Sequence, residues 1–303
     1  SGTYRMDAEL FDNRFGFIPN DIQKSVLDVV NNCINPGIFI LESQMGSGKT
    51  EAALASAEVL ASNTQAGGIF FGLPTQTTSN GLFPRLLDWA NSVSVDAVQA
   101  IRLAHGAATY NDEYNELKFQ GKSFVDDVEE GSELAGVEVH PWFQGNKKAL
   151  LADFVLGTVD QFLLATLKRK HYMLRHIGLA GKVVIIDEVH AYDAYMNQYL
   201  EQSIRWMAAY GVPVILLSAT IPKERRTALV QSYVQSYIKN YCGEKKAKPI
   251  DENQNWKHSE AYPLLTWSDG KTIHQKRIEQ QVDEKAVHIS YIDSINELMT
   301  SSR

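Results

Sequence analysis

The sequence predicts an α/β fold: a doubly wound, mostly parallel sheet with helices on both faces. Three observations carry this. Short apolar runs at 37–41, 68–73, 97–104, 154–158, 182–187 and 212–217 alternate with longer helix-forming stretches, as β-α-β units with right-handed crossovers require. The clearest run, Lys182-Val183-Val184-Ile185-Ile186-Asp187, is continuous and β-branched rather than alternating, the pattern of a strand covered on both faces. Between the first run and the helix former Glu51 to Ala61 lies Glu42-Ser43-Gln44-Met45-Gly46-Ser47-Gly48-Lys49-Thr50, a glycine-containing loop joining strand to helix.

Composition bounds the rest. With 303 residues, 44% of them apolar and 21% charged, the chain has core enough for one large domain or two smaller ones. A net charge of −7 excludes a wholesale basic surface, so any nucleic-acid contact must be a local groove. Cys33 and Cys242 stand far apart, which suits a reducing cytoplasm and excludes a disulfide framework. No apolar run approaches the length of a membrane span and no signal-peptide pattern appears, so the expectation is a cytoplasmic, soluble protein with no membrane contact. The opening Ser1-Gly2 suggests a piece of a longer polypeptide.

In order, the first helix expected places Ile22, Val26, Val29 and Val30 on one face, with Asn20 or Asp21 as its cap. After the glycine loop and its helix, Gly68 to Leu73 is a strand ending at Pro74, and Thr75-Gln76-Thr77-Thr78-Ser79-Asn80 begins a helix. Residues 107–148 lack periodicity, carry Asp126, Asp127, Glu129 and Glu130, and read as a long insertion. A helix is expected from Val159 to about Lys170, another through Met196, Tyr199, Leu200, Ile204 and Met207, and a third from about Lys223 to Tyr237. The domain division drawn is 1–242, with 243–303 as a C-terminal extension. In that extension 262–267 and 287–291 read as strands.

The glycine loop is a phosphate cradle by its physics. Backbone N–H groups of the loop and of the first helical turn converge on one point, where the helix dipole adds positive potential. Gly46, Ser47 and Gly48 let the backbone curl around phosphates, Lys49 reaches the β and γ phosphates of ATP, and the Thr50 hydroxyl ligates Mg²⁺. The strict pattern has glycine where this chain has Ser43. A cradle of this kind needs an acidic partner at the end of a neighbouring strand. Asp187-Glu188-Val189-His190 meets that need: Asp187 for the metal, Glu188 to deprotonate the attacking water, His190 as sensor.

Further blocks make a resemblance specific. Leu73-Pro74-Thr75 with Gln76, Gly157-Thr158-Val159-Asp160-Gln161 and Ser218-Ala219-Thr220 resemble, in the right order, conserved blocks of superfamily-two helicases. Ser43 suits the looser loop of that superfamily, and Gln23, four residues after Pro19, resembles its adenine-reading glutamine. Within it the sequence is similar to the helicase–nuclease of type I CRISPR systems. The similar stretches are Ile186 to Met196, Leu216 to Pro222 followed by Arg225 and Arg226, Ala149-Leu150-Leu151, and Ala261 to Thr266.

The resemblance implies an N-terminal RecA-like lobe of a DEVH-box helicase. It would use ATP and Mg²⁺ to drive translocation on single-stranded DNA displaced by an RNA-guided surveillance complex, in antiviral defence. It further implies strand contacts from Thr75, Gln76, Thr78, Asn80, Arg85, Thr158 and Gln161, and coupling through Ser218 and Thr220. Two departures qualify it. None of the eight histidines is followed by aspartate, so an HD nuclease is not expected in this chain. The second helicase lobe, with its arginine finger, would come after residue 303. Rival expectations are an RNA helicase lobe, since the motifs do not separate DNA from RNA, and a non-catalytic docking module for the surveillance complex.

Overall fold

A computed structural model describes residues 4–33, 35, 37–73, 85–86, 88–89, 92, 101–103, 154–163, 172–192, 194–246, 248–251 and 255–280. The blocks at 74–80 and 107–148, and the expected strand 287–291, lie outside them.

Six parallel strands form the body: β1 Ile38–Glu42, β2 Gly68–Leu73, β3 Ile101–Leu103, β4 Phe154–Thr158, β5 Lys182–Ile186 and β6 Val214–Ser218. Three more, β7 Ile250–Asp251, β8 Leu264–Ser268 and β9 Thr272–Arg277, extend it, giving the order β3-β4-β2-β5-β6-β1-β8-β9-β7 among the described residues. β8 runs antiparallel to β1, with Phe39 opposite Trp267. Residues assigned from sequence to a C-terminal extension therefore complete the main sheet.

The unbroken apolar runs follow from burial on both faces. Along β1, Phe39 and Leu41 enter one core and Ile38 and Ile40 the other; along β5, Val183 and Ile185 oppose Val184 and Ile186. The first face is covered by α1 Ala8–Phe15, α2 Asp21–Asn32 and α3 Lys49–Thr64. The second is covered by α4 Val159–Leu163, α5 Tyr172–Ala180, α6 Ala194–Ala209 and α7 Lys223–Ser236. On α6, Leu200, Ile204 and Met207 are buried, while Met196 and Tyr199 pack partly exposed against the same core. α3 meets the sheet through Ala52, Ala53, Ala55 and Ala57, whose small side chains permit close approach.

Capping signals fix the helix starts. Asn20, not Asp21, caps α2: its side chain accepts from Gln23 N at 2.9 Å, and the Gln23 side chain accepts from Asn20 N at 2.9 Å, a reciprocal capping box. α1 lies between an Asp7 cap and a left-handed Gly16, a start–stop pair legible in the sequence but not used. β9 was likewise not anticipated, although Asp269-Gly270 between two extended runs is a hairpin signal. No described helix is long and apolar enough to cross a membrane.

Candidate nucleotide site

The site is assembled at the C-terminal edge of the parallel strands, where open α/β sheets bind ligands. β6 lies between β1 and β5, so the loops following all three strands share that edge. Backbone hydrogen bonds fix this edge: Ser43 N donates to Ser218 O at 3.1 Å, joining the ends of β1 and β6, and Asp187 N donates to Gly72 O at 2.9 Å, joining the end of β5 to β2.

The loop after β1 is braced from outside. Ser43 Oγ and Ser47 Oγ lie 2.7 Å apart, so the serine standing at the pattern's glycine position closes the loop by a hydroxyl contact. Asn20 Nδ2 donates to Ser47 O at 3.0 Å and Gln23 Nε2 to Gly48 O at 3.2 Å. The α2 cap thus also clamps the loop, a role that motif reading did not assign to Asn20. Gly48 has φ +83°, and a Cβ there would come within 2.3 Å of Gln23 Nε2, so only glycine fits. Gln23, expected to read adenine, is buried, with both ends of its amide engaged by protein.

Lys49 begins α3. Its ammonium donates to Ser43 O at 2.8 Å and Gln44 O at 2.9 Å. Burial lowers its pKa, opposed by the nearby carboxylates of Glu188 and Asp187. Across the pocket, burial pushes Asp187 up to about 6. Glu188 is held in the left-handed region at φ 52°, with Asp187 Oδ1 accepting from its N–H at 2.8 Å. The Tyr192 hydroxyl donates to Asp187 O at 2.8 Å, tying the turn to the core.

His190 joins the β5 and β6 loops. Ala219 N–H donates to His190 Nδ1 at 3.3 Å, which requires that nitrogen to be unprotonated. Ser218 Oγ lies 3.4 Å and Glu188 Oε2 3.2 Å from the same atom. Ser218 spends its own proton on Thr220 O at 2.7 Å. With Nδ1 unprotonated, Glu188 Oε2 receives no hydrogen bond, and it is buried.

A pocket of about 400 Å³ gathers these groups: Phe17, Asn20, Gln23, Met45, Gly46, Gly48, Lys49, Thr50, Glu51, Arg85, Asp187 and Glu188 line it. Thr50 and Asp187 together offer a hydroxyl and a carboxylate, hard oxygen donors of the kind that magnesium takes. Phe17 and Glu51 are additions from the structure. Arg85, expected among the strand contacts, lines this pocket and pairs with Glu51 of the loop helix. Thr75, Gln76, Thr78 and Asn80 lie outside the described residues. Thr158 ends β4 and Gln161 lies within α4, one strand beyond β2 on the same edge.

A second element went unassigned. Arg226, in the first turn of α7, donates to Glu42 Oε2 at 2.9 Å and to Ser259 O at 2.7 Å. The two side chains are 3% and 6% exposed, so the ion pair is fully inside the protein. Burial raises the pKa of Glu42 and Arg226 opposes it. Glu42 is the last residue of β1, immediately before the cradle, so this pair anchors α7 to the base of the loop.

The fold and these loops define a RecA-like helicase domain. The chain belongs to the DEAD/DEAH box helicase family, whose model matches residues 20–228. More particularly, it is 46% identical over 282 residues to the CRISPR-associated nuclease/helicase Cas3 of Streptococcus thermophilus, covering 92% of this chain and 29% of that protein. It is 35% identical over 259 residues to the CRISPR-associated endonuclease/helicase Cas3 of Escherichia coli K12, covering 85% and 26%. Among solved structures, T. fusca Cas3 with ADP matches at TM-score 0.71 and 31% identity, covering 90% of this chain and 28% of that one. A chain of a CRISPR RNA-guided surveillance complex in a pre-nicking state matches at TM-score 0.59 and 30% identity, covering 85% and 24%. The chain spans less than a third of the length of these relatives. It is a helicase lobe of the CRISPR-associated kind.

Proposed function

We propose that this lobe binds ATP with magnesium and, joined to a second lobe, drives translocation along single-stranded DNA delivered by an RNA-guided surveillance complex. One observation carries the reading: the pocket at the strand edge brings Lys49, Thr50, Asp187 and Glu188 together from loops about 140 residues apart, the residues that phosphate binding and hydrolysis need.

Each residue has a part. Backbone N–H groups around Gly46, Ser47 and Gly48 and the start of α3 face the phosphates, and Lys49 exchanges its loop carbonyls for phosphate oxygens. Thr50 and Asp187 would hold the magnesium ion, which supplies charge neutralisation when bound. Glu188, with one carboxylate oxygen buried and undonated, takes the proton of the attacking water as the new P–O bond forms and the β–γ bridge breaks. His190, which accepts from Ala219 N–H and lies beside Glu188, is positioned to carry the state of the hydrolytic turn to the Ser218–Thr220 loop. The surveillance complex as partner and a nuclease, fused or separate, are inferred from the named relatives. DNA as the strand, a second helicase lobe and a cytoplasmic role in antiviral defence are inferred from the family resemblance of the motifs.

The test is magnesium-dependent binding of a fluorescent ATP analogue to wild type, Lys49→Ala and Asp187→Ala. Binding lost in both variants supports the reading; wild-type affinity in Lys49→Ala would overturn it. Turnover by this lobe on its own is expected to be very slow, since doing without an arginine finger costs about 10³–10⁵ in rate. Glu188→Gln should retain affinity and lose residual hydrolysis.

A further inference from the structure

Five described residues lining the pocket are charged: Lys49 and Arg85 against Glu51, Asp187 and Glu188. Carboxylates outnumber cations in a pocket that, on the reading above, receives a polyanion. The Lys49 ammonium is divided between two loop carbonyls. Arg85 is the other cation.

Arg85 and Glu51 form an ion pair of unequal members: the carboxylate is 12% exposed and the guanidinium 54%. Glu51 is fixed in the first turn of α3, directly after Thr50, where the helix dipole favours an acid but an incoming phosphate does not. The Arg85 and Glu51 side chains line the same pocket. A guanidinium carries five donors in a rigid fork, and one carboxylate uses at most two of them, which leaves donors for a second anion.

We propose that Arg85 is a second phosphate-binding cation of this site and that Glu51 is the positioning residue that aims it. The proposal rests on the nucleotide reading of the pocket. A half-exposed pair holds its partner only weakly, so the guanidinium is free to bridge carboxylate and phosphate when the nucleotide enters. Without Arg85, Glu51 would stand uncompensated beside the phosphates.

The experiment is competition of ATP, ADP and adenosine against a fluorescent ATP analogue, with thermal melts alongside, for wild type, Lys49→Ala, Arg85→Gln and Glu51→Gln/Arg85→Gln. Arg85→Gln is expected to weaken ATP about tenfold, the loss of one charge-assisted contact at a half-exposed site. Adenosine affinity and melting temperature should be unchanged, which a merely structural latch would not give. The double variant should bind ATP more tightly than Arg85→Gln alone, because the uncompensated carboxylate is gone; no recovery removes Glu51 from the proposal. Wild-type ATP affinity in Arg85→Gln, with Lys49→Ala unable to bind, overturns the proposal and leaves the nucleotide reading standing. Wild-type binding by Lys49→Ala overturns both.

Discussion

Asp187→Asn should stabilise this protein while disabling it. Burial pushes the Asp187 carboxyl from 3.8 up to about 6, more than the hydrogen bond from Glu188 N–H and the neighbouring Lys49 can offset. The native state therefore holds the Asp187 proton more tightly than the unfolded chain does. The cost of ionising it is absent below the unfolded pKa and grows as pH rises between the two values. Above the folded pKa it is complete, at about 3 kcal/mol for a shift near two units. Asparagine keeps the oxygen that accepts from Glu188 N and carries no charge to desolvate. Urea unfolding with chelator present should show Asp187→Asn more stable by about 3 kcal/mol at pH 7.5, about half of that at pH 5 and well under 1 at pH 4. The same variant should lose magnesium-dependent nucleotide binding. A variant no more stable than wild type at pH 7.5, or a gain that does not shrink with acid, would refute the reasoning.

Two other outcomes concern the supports of the cradle. Arg226→Met leaves Glu42 buried without its partner and should cost about 3–5 kcal/mol in urea unfolding, whereas Glu42→Leu/Arg226→Met should recover most of that loss, since a buried pair replaced by apolar groups is near neutral. Asn20→Ala removes the α2 cap and the contact with Ser47 O together; a loss of about 1–2 kcal/mol is expected, with ATP-analogue affinity falling in the same variant because the loop is no longer braced.

Much of this molecule is local, and local features are legible in sequence. Continuous β-branched runs announced strands covered on both faces, and 68–73 and 154–158 coincide with β2 and β4. Positive φ at Gly46 and Gly48 and the Lys49-Thr50 start of α3 follow from residue types that suit a phosphate loop. Asp187 and Glu188 were legible because a strand-ending acid pair acquires meaning beside such a loop.

What sequence could not decide was which distant residues meet. No periodicity says that β6 inserts between β1 and β5, yet that insertion brings Ser218 and Ala219 to His190. Glu42 and Arg226 are 184 residues apart, and their pairing exists only because α7 packs across β1. Arg85 read as a strand contact because its block resembles one; the pocket brought it to Glu51. The strand at 262–267 read as part of an extension and β9 gave no strand reading, because their signals are weak; β8 joined the sheet because the free edge of β1 had hydrogen bonds to satisfy, and β9 then paired with β8. Local propensity and loop chemistry thus set the elements and the cradle. The ion pairs, the clamp on the loop and the membership of the pocket were set by long-range packing, which depends on three-dimensional proximity that spacing along a chain does not encode.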